Sequence, residues 1–256
     1  MPCSWQRPVV HPLLSEGSVH LWCVSLDLSA ERVESLKVLL NERERARSSR
    51  LRLPLLRERS VVTQATLHLL LGRYLGLPPE AVALTTGPHG KPSLGEAAEL
   101  RFNLTHSGGL AVYALTLGRE VGIDIEQVRP TPYALSVAQR YWTKEEAQAL
   151  EAYAAGEGKT LEAGFLTYWT RKEAWLKAIG TGLHRPMDSF QVSGPDTPPP
   201  RSGGGGRGGG SSTVGGGELP ASPRVTRNVW SGGGATGDRV RHFRTARSCT
   251  IIWQNG

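Results

Sequence analysis

Apolar residues fall into two kinds of pattern along the chain. In "SAERVESLKVLLNERERARSSR", Val33, Leu36 and Leu40 recur at helical spacing behind the capping candidate Ser29, and the later part is a basic, polar surface. The pattern predicts one helix there. "ERSVVTQATLHLLLGRYLGL" predicts a second, with Val61, Ala65 and Leu69 and the neighbouring Val62 and Leu70 on its buried side. Pro78-Pro79-Glu80 then opens a short element, because proline is tolerated in a first helical turn. In "RFNLTHSGGLAVYALTLGREVGIDIE" the spacing changes to that of strands. It predicts a three-stranded meander turning at "HSGG" and "LGRE", with an almost wholly apolar middle strand at Leu110–Leu117. "TPYALSVAQRYWTKEEAQALEAY" and "FLTYWTRKEAWLKAIGTGL" return to helical spacing, the latter stopped by Gly180 and Gly182. Short strand-like pieces follow at "VTRNVW" and "SCTIIWQ". Helices and strands are thus mixed along the chain, which gives an α/β (α+β) fold class.

Composition narrows this picture. The 256 residues are 39% hydrophobic and 21% charged, as in an ordinary soluble globular protein. No apolar run reaches the 18 or so residues of a membrane span, and the N-terminus lacks the basic-then-apolar order of a secretion signal. Cys3, Cys23 and Cys249 are scattered, which suits a reducing cytoplasm better than a disulfide framework or a zinc site. Residues 194–217 read "GPDTPPPRSGGGGRGGGSSTVGGG", a composition that cannot bury enough apolar surface to offset its ordering entropy, so a flexible insertion is expected. After Phe190, eight arginines face three acidic residues; this tail therefore carries +5 of the net +7 and leaves +2 for residues 1–190. The glycine tract holds only two arginines and no aromatics, so it is a poor match for an RNA-binding tail, and no nucleic-acid partner is expected.

Four short stretches carry possible chemistry. In "VGIDIE", Val121, Ile123 and Ile125 share one strand face, and Gly122, Asp124 and Glu126 the other. The two carboxylates stand about 6–7 Å apart along the strand. They repel unless a cation or basic group intervenes, and a hard divalent ion such as Mg²⁺ would suit them; on this motif alone a solvated acidic face is the simpler account. Gly122 leaves room for something to approach. In "YWTRKEAWLKAIG", Phe165, Trp169, Leu176 and Ile179 form an apolar stripe, with Glu173 and Lys177 on its flank and Arg171 and Trp175 pointing away. This pair is either a surface Glu–Lys bridge or the lining of a cleft. "FNLTHSGG" places Thr105 and His106 at a strand end, where a hydroxyl, an imidazole and turn N–H groups can grip a phosphate or simply shape the turn. "PHGKP" presents Lys91 in a loop. Motifs for dinucleotide, P-loop, serine-hydrolase or zinc-protease chemistry are absent.

In order, "GKP", "FNLTHS", "VGIDIE" and "WTRKEAWLKAIGTGL" resemble the 4′-phosphopantetheinyl transferase superfamily, of the Sfp type at this length. The resemblance runs from about Glu42 to Val192. It implies transfer of the phosphopantetheine arm of coenzyme A to a serine of an apo carrier protein (acyl, peptidyl or aryl), with release of adenosine 3′,5′-bisphosphate. It also implies Mg²⁺ held by Asp124, Glu126 and Glu173, and coenzyme A phosphates met by Lys177, Thr105 and His106, with threonine where the family has serine. Lys91 would lie near the nucleotide, and Arg45 and Arg59 near the 3′-phosphate and adenine. Asp124 would also touch the coenzyme. Glu173 and Lys177 would be the catalytic pair, Glu173 as base and Lys177 assisting the leaving group. The implied fold is a pseudo-dimer of two similar α/β halves, residues 1–120 and 121–256, with the active site in the cleft between them, in a monomeric, cytoplasmic protein. A module that binds coenzyme A or carrier without catalysis is the alternative. Glu146, in "YWTKEEA", also fits the resemblance, without an assigned role.

Overall fold

The computed structural model describes residues 13–196 and the strand backbones of 224–229 and 247–253. Most of the glycine-rich stretch lies outside the described residues. Helices and strands are mixed, as the α+β expectation requires.

The first strand, β1 (Ser18–Ser25), leads into two short helices, α1 (Ala30–Lys37) and α2 (Glu42–Ser49). The single helix expected here is broken because Asn41 starts a new one. Its side chain accepts from the Glu44 N–H while Glu44 accepts from the Asn41 N–H, a reciprocal cap that outcompetes helix continuation. The long helix α3 (Pro54–Leu75) starts earlier than the apolar spacing indicates, with proline in its first turn, and ends at Gly76 in the left-handed conformation. A single 3₁₀ turn follows at Pro79–Ala81. The small hairpin β2 (Thr85–Thr86) and β3 (Pro92–Ser93) brackets the Lys91 loop.

β4 (Leu100–Ser107) and β5 (Leu110–Leu117) form the expected hairpin. β5 pairs antiparallel with β1, and β1 takes β7 (Arg224–Val229) as a parallel edge, giving the order β4-β5-β1-β7. β6 (Val121–Gln127) does not continue the meander. It leaves the sheet and pairs antiparallel with β8 (Arg247–Trp253). Its other edge is held by side chains of β4: Asn103, Thr105 and Ser107 accept from the backbone N–H groups of Ile123, Ile125 and Gln127 at 2.9, 3.4 and 3.2 Å. With those N–H groups satisfied in this way, no backbone ladder to β5 is needed.

Alternation then sorts the core. Trp22, Val24, Phe102 and Tyr113 face α1 and α3 on one side of the four-stranded sheet. Val19, Leu21, Val112 and Ala114 face Val121, Ile123 and Ile125 of β6 on the other. A third cluster joins α4 (Ala134–Tyr141), α5 (Lys144–Ala154) and α6 (Leu161–Ile179) through Trp142, Leu150, Phe165 and Leu176. No helix among the described residues is long and apolar enough to cross a membrane.

Candidate active site

Three elements meet at one cavity. Asp124 and Glu126 come from β6, and Thr105 and His106 from the end of β4. Trp169, Glu173 and Lys177 come from one face of α6, at four-residue intervals. With Leu104 they line about 380 Å³ of space.

Gly122 sets how closely α6 can approach. A Cβ there would lie 1.9 Å from the Ala174 carbonyl oxygen and 2.4 Å from the Ala178 amide nitrogen. The space cleared on the acidic face of β6 is therefore taken by helix backbone, opposite two alanines, rather than by a ligand. One turn of α6 then sets Lys177 against Asp124. The Lys177 Nζ donates to Asp124 Oδ1 at 2.6 Å and to Thr105 Oγ1 at 3.3 Å, and the Thr105 hydroxyl donates to the same Oδ1 at 2.9 Å. Asp124 Oδ2 is buried and has no partner. The Ser107 hydroxyl donates to Glu126 Oε2 at 2.9 Å.

The electrostatics are those of a partly dry site crowded with carboxylates. Burial raises the Asp124 carboxyl above its ordinary value despite the opposing pull of Lys177. Burial also raises Glu173, against the pull of Lys177 and with help from Asp124 and Glu126. His106 stands at the open rim. The protein around its ring, then the Lys177 ammonium, push its pKa down and favour the neutral imidazole.

The other expected residues lie apart from this cavity. The Lys91 Nζ is bonded to Glu120 at 2.5 Å, to the Ala178 carbonyl at 3.0 Å and to the Val121 carbonyl at 3.4 Å, so it ties the end of α6 to the start of β6. Arg45 is exposed on α2. Arg59 makes a two-point bond with Asp27 at 2.7 and 3.1 Å, and its charge reaches His106. A second cavity, of about 490 Å³, is lined by His89, Thr181, His184, Arg185, Pro186 and Ser189.

Two features escaped the sequence reading. Trp169 lines the cavity although its spacing also fits the apolar stripe; its position four residues before Glu173 was the available signal. Lys172 is fully buried. It meets Glu146 Oε2 at 2.7 Å and donates to the Met187 and Phe190 carbonyls at 2.7 and 2.8 Å. Glu146 Oε1 accepts from the Val192 N–H at 2.8 Å, and Glu146 also closes the cap of α5 with Thr143. Glu146 thus fastens residues 187–192 against α5 and α6.

Among the described residues no group of three His, Cys, Asp or Glu side chains stands close enough to hold a metal ion. The donor set is nonetheless suited to a hard cation: a buried carboxylate oxygen without a partner, with two further carboxylates lining the same cavity.

An α+β chain with carboxylates, a lysine and a histidine gathered on a strand, a helix and a strand end has the makings of an enzyme for a phosphate-bearing substrate. The sequence model of the 4′-phosphopantetheinyl transferase superfamily matches residues 120–214. The chain is 37% identical over 180 residues to the 4′-phosphopantetheinyl transferase HetI of Nostoc sp., covering 69% of this chain and 74% of that one. It is 31% identical over 160 residues to psf-1 of Bacillus pumilus (62% of this chain, 66% of that one). To Sfp of Bacillus subtilis it is 30% identical over 134 residues, or 52% and 57%. The chain belongs to the 4′-phosphopantetheinyl transferase superfamily, in the Sfp-type relationship, and its enzyme class is that of these transferases.

Proposed function

We propose that this protein transfers the phosphopantetheine arm of coenzyme A to a serine of an apo carrier protein and releases adenosine 3′,5′-bisphosphate. The observation that carries the reading is the convergence of Thr105, His106, Asp124, Glu126, Glu173 and Lys177 on one cavity from three separate elements. Residues 1–120 and 121–256 are then the two α/β halves of a monomeric pseudo-dimer, and the cavity is part of the cleft between them.

Asp124, Glu126 and Glu173 are the residues that would hold Mg²⁺. When bound, the ion supplies positive charge beside the pyrophosphate oxygens. Lys177 and the neutral His106 donate to other phosphate oxygens, while Thr105 holds Asp124 in place. Glu173 takes the proton of the carrier serine. The serine oxygen forms a bond to the phosphorus that bears the pantetheine arm. The bond from that phosphorus to the bridging oxygen breaks, and the bisphosphate leaves with the electron pair, its new charge met by Lys177. Lys91 supports this indirectly by holding the end of α6, and Arg45 and Arg59 supply positive charge for the 3′-phosphate side of the nucleotide.

The test is a panel of apo acyl, peptidyl and aryl carrier proteins incubated with coenzyme A and Mg²⁺. A gain of about 340 Da, the mass of the arm, is expected on at least one carrier and is lost in Asp124→Ala. No gain on any carrier at saturating metal would overturn the reading.

A further inference from the structure

The cavity of about 490 Å³ beyond the end of α6 has two walls. One is the β2–β3 loop, which contributes His89. The other is the segment after α6, which contributes Thr181, His184, Arg185 and Ser189. The walls touch through the imidazoles of His89 and His184, whose ring centres are 4.5 Å apart at a tilt of 40°. The polar side chains of the lining are thus two imidazoles, two hydroxyls and a guanidinium, and no carboxylate is among them. Asp188 belongs to the same segment but stands outside the lining.

These groups are short of partners. The Thr181 Oγ1 is buried and makes no hydrogen bond among the described residues. The Arg185 guanidinium rests over the Trp175 ring, 4.8 Å from its centre, and its Nε donates to the Ser189 Oγ at 3.3 Å. It pairs with no carboxylate among the described residues. A buried hydroxyl without a partner is costly, and an uncompensated guanidinium offers a fork of N–H donors that matches a phosphate. Each imidazole offers at least one N–H in either protonation state. This is a donor set for an anion, and the charge of Arg185 works against a cation in the same place. The volume exceeds what a bare phosphate needs and lies within the roughly 300–1,000 Å³ of small-molecule sites.

We propose that this cavity is a second ligand site, which takes a phosphomonoester and clamps the β2–β3 loop to the segment after α6. Arg185, Thr181 and the two histidines hold the phosphate, and the rest of the cavity receives the body of the ligand. The transfer reaction described above uses none of these residues. Occupancy nonetheless acts on the same joint as Lys91. His89 stands two residues before Lys91, whose Nζ donates to the carbonyls of Ala178 and Val121, and Thr181 stands four residues after Lys177. The ligand adds a second tie across that joint and steadies the end of the helix that carries Glu173 and Lys177.

The test titrates the full chain with glycerol 3-phosphate and, separately, with inorganic phosphate. NMR follows the imidazole signals of His89 and His184, each assigned with its His→Gln variant. Both signals are expected to shift saturably, with affinity at least threefold higher for glycerol 3-phosphate. Arg185→Gln and the exposed His89→Ala should each weaken binding tenfold or more. The melting temperature should rise with ligand in the wild type and not in these variants. Lys177→Ala, in the catalytic cavity, should leave the shifts in place. No saturable shift, or unchanged affinity in both Arg185→Gln and His89→Ala, would overturn the site. Loss of the shifts in Lys177→Ala, or at saturating adenosine 3′,5′-bisphosphate, would make this cavity part of the catalytic site and overturn a separate one. Equal affinity for the two probes would overturn the phosphomonoester in favour of phosphate alone. A response to Zn²⁺ with none to either phosphate would make the histidine pair a metal site and overturn the anion reading.

Discussion

At Gly122 the side chain is absent for a steric reason. Its backbone conformation is ordinary, but a methyl group would strike the backbone of α6 at Ala174 and Ala178. Helix and strand can separate only by moving Glu173 and Lys177 away from Asp124. Gly122→Ala is therefore expected to cost about 1–3 kcal/mol of stability and to reduce transfer more than tenfold, read by thermal melting and the carrier mass assay. The carboxyl of Glu173 has its own signature. Burial raises its pKa in the metal-free protein, so without metal the protonated form persists to higher pH than for an ordinary glutamate. Glu173→Gln is expected to lower kcat by 10²-fold or more at saturating metal, measured by the carrier mass assay. The types and order of these residues were legible in the sequence, as was their sharing of faces. That Gly122 serves helix packing was not, because strand periodicity says which side a residue faces and not what lies there.

Elements are joined here by buried polar links as much as by apolar packing. His68 on α3 bonds Glu44 of α2 at 2.9 Å and the Pro79 carbonyl at 3.0 Å, tying two helices and the following turn together. The bond to Glu44 raises His68 despite its burial. Burial works to raise Glu44, but His68 and the Asn41 N–H outweigh it and the net shift is downward. The histidine's contribution is full below its ordinary value near 6.5 and fades as pH rises through the raised one. The glutamate's is full above its ordinary value near 4.5 and fades as pH falls through the lowered one. The link is thus strongest between these values. His68→Gln is expected to cost roughly 1–3 kcal/mol near pH 5.5 and less at pH 9, measured by urea denaturation at both. The Lys172–Glu146 pair behaves differently because it is sealed from water. Lys172→Met should destabilise by about 3–5 kcal/mol by stranding Glu146, and Lys172→Met/Glu146→Leu should recover part of the loss. Chemical denaturation of the two variants gives the comparison. Helix periodicity located α6 and most of α3. It merged α1 with α2, and α4 with α5, because the Asn41–Glu44 and Thr143–Glu146 caps are polar signals that apolar spacing passes over.

For the whole molecule, chain order and spatial order part company after residue 196. β7 adds to the first sheet beside β1, while β8 pairs with β6, so late segments complete structure laid down by early ones. The sequence showed both pieces as strand-like but could not assign their partners, since alternation does not encode which edge a strand joins. Removing residues 219–256 is expected to leave the edges of β1 and β6 open, to cut the soluble yield severalfold and to promote aggregation, which size-exclusion chromatography of the shortened chain checks. The mixed architecture, in contrast, followed from the pattern of periods alone.

The seam between β4 and β6 has a consequence for how this protein can change over generations. A backbone ladder is nearly blind to which residues compose it, so its alignment survives most substitutions. Here the alignment is spelled by three side chains, Asn103, Thr105 and Ser107, each claiming one amide of β6. Two of the three also hold an acidic residue of the cavity, Thr105 on Asp124 and Ser107 on Glu126. Lineages can loosen or retune this joint one letter at a time, but at Thr105 and Ser107 each such letter also edits a carboxylate of the cavity. At those two positions drift in the fold and drift in the cavity are the same mutational event.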